Sequence, residues 1–182
     1  AVQELKEDEF KKLFSGGNNG NTLPEDHKFV SDCHIETDFE VLLPEDYIES
    51  VSERIRLYRK LDNIETEAGL LKFEAEMKDR FGPMPPQVEG MMDVVRLRWI
   101  AMKTGFQRII IKNDVFLGFF PKDQESVFYQ SPVFAGFIKH MQENPGGFDL
   151  KEDKGKLRLK IKPVKSLKHI REFLEKMHEK NA

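Results

Sequence analysis

A proline-rich interruption at Gly82-Pro83-Met84-Pro85-Pro86 separates two stretches in which apolar residues recur at helical spacing. Proline lacks a backbone donor and clashes with the preceding helical turn, so neither helix can continue through this segment. The first stretch predicts a helix over residues 65–81, with one face formed by Leu70, Phe73, Met77 and Phe81. The second predicts a helix ending at Gly105, with a wide apolar stripe formed by Val88, Met91, Met92, Val95, Trp99 and Met102.

The residues before this pair of helices predict a strand and a further helix. Alternation around Phe39 and Val41 indicates a half-buried strand over residues 35–43. Pro44 suits a first helical turn, and Glu45 and Asp46 are favourable near the positive end of a helix. The apolar stripe of that helix is predicted to consist of Tyr47, Ile48, Val51, Ile55 and Tyr58.

After Gly105 the pattern changes from helical spacing to β-branched and aromatic runs. Residues 107–112 and 115–120 predict a hairpin around Asn113-Asp114, and a second hairpin is expected around residues 153–155. Ser131-Pro132 and Ser166 each suit the start of a helix. We therefore predict an α+β (mixed α/β) fold: an N-terminal helical arm, a three-helix segment, then a small, mostly antiparallel sheet flanked by helices.

Residues 1–34 are predicted to be an arm and connector, and residues 35–182 a separate C-terminal domain. Helical spacing in residues 2–14 stops at Ser15-Gly16-Gly17, and residues 16–21 (GGNNGN) are typical of a flexible loop. Because the chain opens with alanine in mid-helix pattern, we expect it to be a fragment of a longer protein.

Several kinds of chemistry lack a sequence signal. The glycine-rich GGNNGN segment is followed by neither Lys-Ser/Thr nor an apolar helix, which argues against a nucleotide site. The five histidines and the single Cys33 do not have metal-ligand spacing, so we expect neither a metal nor a cofactor. No run of 18 apolar residues and no secretory leader is present, so a cytoplasmic, non-membrane location is expected. A carboxylate-based hydrolase has no supporting motif.

Two charged surfaces could carry a binding function. The first is a basic strand in which Lys156, Arg158, Lys160 and Lys162 alternate, within a C-terminal stretch that carries +6 in a chain of net charge -3. Such a face could contact phosphate, or it could be a solvent-facing strand whose lysines discourage edge pairing. No aromatic residue alternates with the basic ones along this segment, so a base-stacking platform is not expected.

The second is one flank of the helix predicted over residues 65–81. At 100° per residue, and taking Met77 as zero, Arg80, Glu76, Lys72 and Asp79 fall between about -60° and -160°. They form one contiguous side next to the apolar stripe. Spacing alone is compatible with an ordinary solvated ladder of ion pairs, each contributing about 0.2–0.5 kcal/mol.

Four blocks in order, LLPEDYI (42–48), RLYRKL (56–61), DRFGPMP (79–85) and RLRWIAMKTG (96–105), resemble the C-terminal domain of the bacterial transcription-repair coupling factor family. The similarity covers about residues 38–112 and becomes weaker beyond Asn113. The opening AVQELK resembles the end of the translocase lobe that precedes this domain in the family.

The resemblance implies a non-catalytic regulatory domain of a cytoplasmic, ATP-driven DNA translocase that displaces stalled RNA polymerase and recruits UvrA. The motor motifs belong to other domains of that protein, as does DNA binding, so this fragment is expected to be monomeric and without ATPase activity. In the family the domain packs against the UvrB-like N-terminal module and masks the UvrA-binding surface. By position, the resemblance assigns that contact to Glu76, Asp79 and Arg80, and Lys72 joins them only by its angle on the helix. The alternative is a nucleic-acid-binding accessory domain that uses the basic strand at residues 156–162.

Overall fold

The computed structural model describes residues 27–181 of the 182-residue chain. In chain order these residues form β1 (His34–Thr37), α1 (Val51–Asp62), α2 (Glu67–Phe81), α3 (Pro86–Lys103), β2 (Arg108–Lys112), β3 (Val115–Phe119), a 3₁₀ turn (Val127–Gln130), α4 (Pro132–Glu143), β4 (Phe148–Asp153), β5 (Lys156–Ile161) and α5 (Leu167–Asn181). The α+β prediction is confirmed by these five α-helices and five strands. The predicted N-terminal helical arm lies outside the described residues.

The five strands form one mixed sheet in the order β1-β2-β3-β5-β4. Only β1 and β2 are parallel among the described strands, so the predicted mostly antiparallel sheet is confirmed. The β2–β3 hairpin turns at Asn113 and Asp114, whose φ angles are +53° and +59°. Two successive positive φ values match the right-handed twist of the flanking strands, which is why this Asn-Asp pair favours a two-residue turn.

Helix α3 contributes to both hydrophobic clusters of the domain. Its first half, from Val88 to Val95, packs with α1 and α2, whereas Leu97, Ile100 and Ala101 pack with the sheet, α4 and α5. Trp99 contacts both clusters. An 18-residue helix is about 27 Å long, so α3 runs through both halves of the domain. The helical half is formed by α1 and α2, and the sheet half by the sheet, α4 and α5.

Local capping sets the start of most helices. The hydroxyl groups of Ser50, Thr66, Ser131 and Ser166 each accept a hydrogen bond from a backbone N–H three residues later. These bonds satisfy donors that the first helical turn leaves without partners. Helix α2 therefore begins at Glu67, two residues later than the sequence predicts.

The prediction for the first strand is too long. Strand β1 ends at Thr37, and residues 38–43 have no regular structure, although Phe39 and Val41 pack against the core. The partner strand β2 ends at Lys112, where the Asp38 carboxylate accepts a hydrogen bond from the backbone N–H of Asn113 (2.8 Å). Because β2 turns away at that point, β1 has no strand to pair with.

The helix predicted after Pro44 begins later than expected, and the apolar stripe predicted for it is not its buried face. Residues 45–47 form a single turn, Ser50 has an extended backbone (φ -70°, ψ 117°), and α1 begins only at Val51. Because Ser50 is not helical, the predicted stripe cannot run continuously from Tyr47 into α1. The buried residues of α1 are Leu57 and Leu61. Val51, Ile55 and Tyr58 are exposed instead.

Residues 29–33, which the sequence assigns to the connector, pack against the sheet half. The backbone N–H of Phe29 donates to the carbonyl of Met102 (2.9 Å), and Val30 and Cys33 belong to the buried cluster. Residues 1–26 of the predicted arm and connector lie outside the described part of the chain.

Gly118 in β3 should be intolerant of a side chain. A Cβ atom there would lie against the Phe106 ring, which is fully buried and stacks on Phe120 at 4.5 Å between centroids. We expect Gly118→Ala to destabilise the domain by about 1–3 kcal/mol, the usual cost of overpacking a core. Gly146→Ala is the control, because nothing lies within 4 Å of its Cβ position. Chemical denaturation of both variants tests this, and equal stabilities would contradict it.

Candidate functional site

Charged residues of α1 and α2 meet along the line where the two helices lie side by side. Glu53, Arg56 and Lys60 project from α1, and Glu76 and Arg80 project from α2. We call these five residues the seam cluster. It contains three cations and two carboxylates, and it includes two of the four residues that the sequence singled out on the α2 flank.

Glu53 joins the two helices through one carboxylate oxygen. Its Oε1 atom lies 2.7 Å from Nη2 of Arg56 and 2.6 Å from Nη2 of Arg80. Hydrogen bonds from Arg56 and then Arg80 lower the pKa of Glu53 to about 2. The carboxylate is therefore ionised at neutral pH and has no proton to donate, so it is unsuited to general acid catalysis.

Glu76 forms the second bridge of the seam cluster. Its carboxylate accepts a hydrogen bond from Lys60 Nζ, and its Oε1 atom lies 3.5 Å from Arg80 Nη1 and 3.8 Å from Arg56 Nη2. The hydrogen bond from Lys60 is the main reason that the pKa of Glu76 is lowered. Both carboxylates of the seam cluster are thus held in their charged form.

The end of α2 is fixed by aromatic residues next to the seam cluster. The Arg80 guanidinium lies 4.8 Å from the centroid of the Phe81 ring, a cation–π distance. The Tyr47 hydroxyl donates to the carbonyl of Gly82 at 3.0 Å, and Gly82 itself has φ +84°. These contacts hold the DRFG segment in place, so the charges before it have a defined position.

Lys72 and Asp79 differ from Glu76 and Arg80. Both side chains are exposed on α2, and neither forms an ion pair or hydrogen bond within residues 27–181. The four residues on the α2 flank therefore divide into two that form ion pairs with α1 and two that are exposed without an ion pair among residues 27–181.

Sequence reasoning missed Glu53, Arg56 and Lys60. Their helical spacing is visible in the sequence, since Glu53–Arg56 is an i,i+3 pair and Arg56 and Lys60 are four residues apart. Nothing in the sequence shows, however, which face of α1 lies against α2. That depends on the burial of Leu57 and Leu61.

The basic side chains of β5 lie on the face of the sheet opposite the main core, to which Leu159 and Ile161 of the same strand belong. Arg158 and Lys160 pair in the sheet with Phe119 and Leu117 of β3. Carboxylates lie beside them as well. Arg158 Nη1 is 3.6 Å from Asp153 Oδ2, and Lys160 pairs across the strands with Asp149. Lys162 follows the end of β5 and is exposed.

Metal binding and thiol chemistry have no support among the described residues. Residues 27–181 contain no group of three or more His, Cys, Asp or Glu residues placed to hold a metal ion. Cys33 is buried, and its burial raises the pKa of the thiol to about 12, so it is a poor nucleophile. None of the helices in this range combines the length and the apolarity needed to cross a bilayer.

A family model described as the TRCF domain matches residues 37–131, just over half of the chain. The chain belongs to the TRCF domain family. The matched residues include α1, α2 and α3, and hence the whole seam cluster. The resemblance found in the four sequence blocks is confirmed by this match.

Relatives and a solved structure agree with this assignment. The chain is similar to the transcription-repair-coupling factor of Staphylococcus epidermidis (32% identical over 92 residues, 50% of this chain and 8% of that protein) and of Escherichia coli (35% over 68 residues, 37% and 6%). The matched segment thus spans less than a tenth of the length of these relatives. It also superposes on the crystal structure of the C-terminal domain of transcription-repair coupling factor, with a TM-score of 0.64 and 20% identity over 83% of this chain and 96% of that one. At that identity the superposition supports the fold.

Acid should loosen the α1–α2 contact, and the arginines should set the pH at which this happens. Because the pKa of Glu53 in the fold (about 2) lies below the ordinary value of about 4.3, its ion pairs stabilise the fold above pH ~4.3, and this stabilisation is lost as the pH falls towards about 2. We expect Arg80→Gln to raise the pKa of Glu53. Arg59→Gln, on the same helix but without an ion pair to Glu53, should leave it unchanged. Carboxyl NMR titration measures both, and a wild-type midpoint near 4.3 would contradict the prediction.

The sheet face that carries Arg158 and Lys160 also carries carboxylates, and this mixed charge predicts weak binding to duplex DNA. We expect the 182-residue chain to bind a DNA duplex more weakly than about 10 μM at ~150 mM salt, because even dedicated non-specific binders reach only ~10⁻⁴–10⁻⁶ M. Fluorescence anisotropy against salt concentration measures this. Sub-micromolar binding that disappears when Lys156, Arg158, Lys160 and Lys162 are changed to Gln would favour the nucleic-acid alternative instead.

Proposed function

We propose that this chain is a non-catalytic regulatory domain of a transcription-repair coupling factor, and that it docks on the UvrB-like N-terminal module of the same protein. While docked, it masks the surface that binds UvrA. The parent protein then contacts DNA and RNA polymerase through its other domains. Membership of the TRCF domain family supports this proposal, as do the names of the relatives, each called a transcription-repair-coupling factor.

The observation that carries the proposal is the pair of available charges beside the seam cluster. Lys72 and Asp79 lie exposed on α2, and the ordered side chains of Glu76 and Arg80 lie next to them. A charged surface whose neighbours are already fixed needs little reordering when a partner binds. Such preorganisation lowers the entropic cost of docking.

Weak ion pairs suit an interface that has to open. Exposed ion pairs contribute about 0–1 kcal/mol each, so a few of them form an interface that can be released. Because both modules belong to one protein, the tether raises their effective concentration and keeps a weak contact mostly closed. A larger and more rigid interface would mask the UvrA-binding surface permanently.

The seam cluster and the exposed pair have separate roles in this proposal. Replacing Glu76 or Arg80 would disturb the contact of α1 with α2 as well as docking, since both residues bridge the two helices. Lys72 and Asp79 have no such internal contact, so changes there affect only the outer surface. They are the residues with which to test docking.

We expect the double variant Lys72→Ala/Asp79→Ala, made in the full-length parent protein, to bind UvrA more tightly in the absence of stalled RNA polymerase. A loss of about 1.4 kcal/mol of docking free energy would raise the open population about tenfold. The melting temperature should not fall, because alanine is the best helix former.

The matched control is Lys139→Ala/Glu143→Ala, which removes an exposed Lys–Glu pair (4.0 Å) from α4. This variant should leave UvrA affinity unchanged. The proposal fails if the Lys72/Asp79 variant and the wild type bind UvrA equally well while both are folded.

A further inference from the structure

The five-stranded sheet has one face packed against helices and one face without such a cover. Ile109 and Phe116 point to the packed face and are buried in the cluster shared with α3, α4 and α5. Side chains alternate between the two faces along a strand. Val115, Leu117 and Phe119 of β3 therefore lie on the other face. They are half-buried and belong to neither core cluster of residues 27–181.

Val115, Leu117 and Phe119 form an apolar track along β3, the middle strand of the sheet. At about 3.4 Å per residue, successive side chains of the track are about 7 Å apart, and the three of them cover about 14 Å. The Val115 end of the track borders an open cavity of about 390 Å³ that Lys162 and Pro163 also line.

Cations flank the apolar track on both sides. The residues of β2 that pair with its two ends are Arg108 and Lys112. The residues of β5 that pair with Phe119 and Leu117 are Arg158 and Lys160. Directly paired side chains share one face and lie about 4.5–5.5 Å apart at their Cβ atoms. Together with Lys162 at the cavity, we call these residues the flanking cations.

The flanking cations are only partly neutralised by the rest of the domain. Glu36 lies 2.7 Å from Arg108 and 3.5 Å from Lys112. Lys160 and Lys162, in contrast, form no ion pair within residues 27–181. Lysines on an edge strand can serve to prevent pairing with other sheets. That reason does not apply here, because β2 and β5 are both interior strands.

The dimensions of this face fit an α-helix lying along β3. The backbone of β3 is paired on both sides, so a segment above it must satisfy its own backbone groups, as a helix does. Helical residues four positions apart are about 6 Å apart along the axis, close to the spacing of about 7 Å in the apolar track. Strands β2 and β5 are about 10 Å apart, and a helix is about 10–12 Å wide. Its two flanks would therefore lie above the flanking cations.

We propose that this face of the sheet binds an amphipathic α-helix of a partner protein. The helix places an apolar stripe on the apolar track, and Asp or Glu residues on both of its flanks contact the flanking cations. A nucleic acid is a poorer match, because Phe119 is the only aromatic residue of the track and the Glu36 and Asp153 carboxylates on the same face repel phosphate. The surface lies in the sheet half, away from the docking residues on α2, so the inference is independent of the proposed function.

The probe is a fluorescein-labelled, alanine-based helical peptide with leucines at i, i+4 and i+7 and glutamates on both flanks. Its binding to the 182-residue chain is measured by fluorescence anisotropy at ~50 mM salt. The first test variant is Lys160→Gln/Lys162→Gln. The second is Leu117→Thr, because threonine suits a strand. The matched control is Lys176→Gln/Lys180→Gln, which removes two exposed charges from α5 on the packed side of the sheet.

We expect the wild type and the control to bind the peptide with a Kd of about 100 μM or tighter, as small transient interfaces do. The Lys160/Lys162 variant should bind about fivefold or more weakly because it loses two ion pairs. Leu117→Thr should bind weakly to a similar degree, since less apolar surface is buried. A peptide with glutamines in place of the glutamates should also bind about fivefold more weakly to the wild type. Melting curves show that each variant is folded.

Absence of peptide binding to the wild type overturns the inference. Equal binding by either folded test variant, or by the glutamine peptide, overturns it as well. If a single-stranded oligonucleotide binds more tightly than the peptide and depends on Lys160 and Lys162, the face binds nucleic acid and the inference is wrong. If the chain forms a dimer in sedimentation that the Lys160/Lys162 variant abolishes, a second copy occupies the face and the inference is again wrong.

Discussion

The packing of α3 between two hydrophobic clusters is the constraint on which the rest of the domain depends. Val88, Met92 and Val95 are buried against α1 and α2, and Leu97 and Ala101 are buried against the sheet half. A helix that is apolar on most of its surface must be covered on all sides. The helical half and the sheet half therefore each pack against one side or end of α3.

This packing explains how weak surface charges can form a defined site. Exposed ion pairs contribute too little to position two helices, whereas a fully buried Leu, Phe or Met side chain contributes about 1.5–3 kcal/mol. Leu57 on α1 and Phe73 and Met77 on α2 are at most 2% exposed, and they fix the rotation of the two helices. Glu53 then meets Arg80 because the core has already placed them side by side.

The residues outside the family match have a supporting role. The match ends at residue 131, before α4, β4, β5 and α5. Ile170, Leu174 and Met177 of α5 are nevertheless buried in the cluster that contains the second half of α3. The C-terminal third therefore completes the packing around α3, and the residues proposed for docking lie on α2.

Local interactions made part of this protein predictable from its sequence alone. The breaks at residues 82–86, the serine caps and the Asn113-Asp114 turn act over a few residues, so α2, α3 and the β2–β3 hairpin are close to the prediction. The rotation of α1 was not predictable, because Ser50 is extended and interrupts the apolar pattern that the sequence continues from Tyr47 to Tyr58. Tertiary packing alone decided that Leu57 is buried while Val51 and Ile55 face outward, and that Glu53 bridges to α2. The reason is physical: which face of a short helix is buried depends on the helices that cover it, and those contacts join residues far apart in the chain.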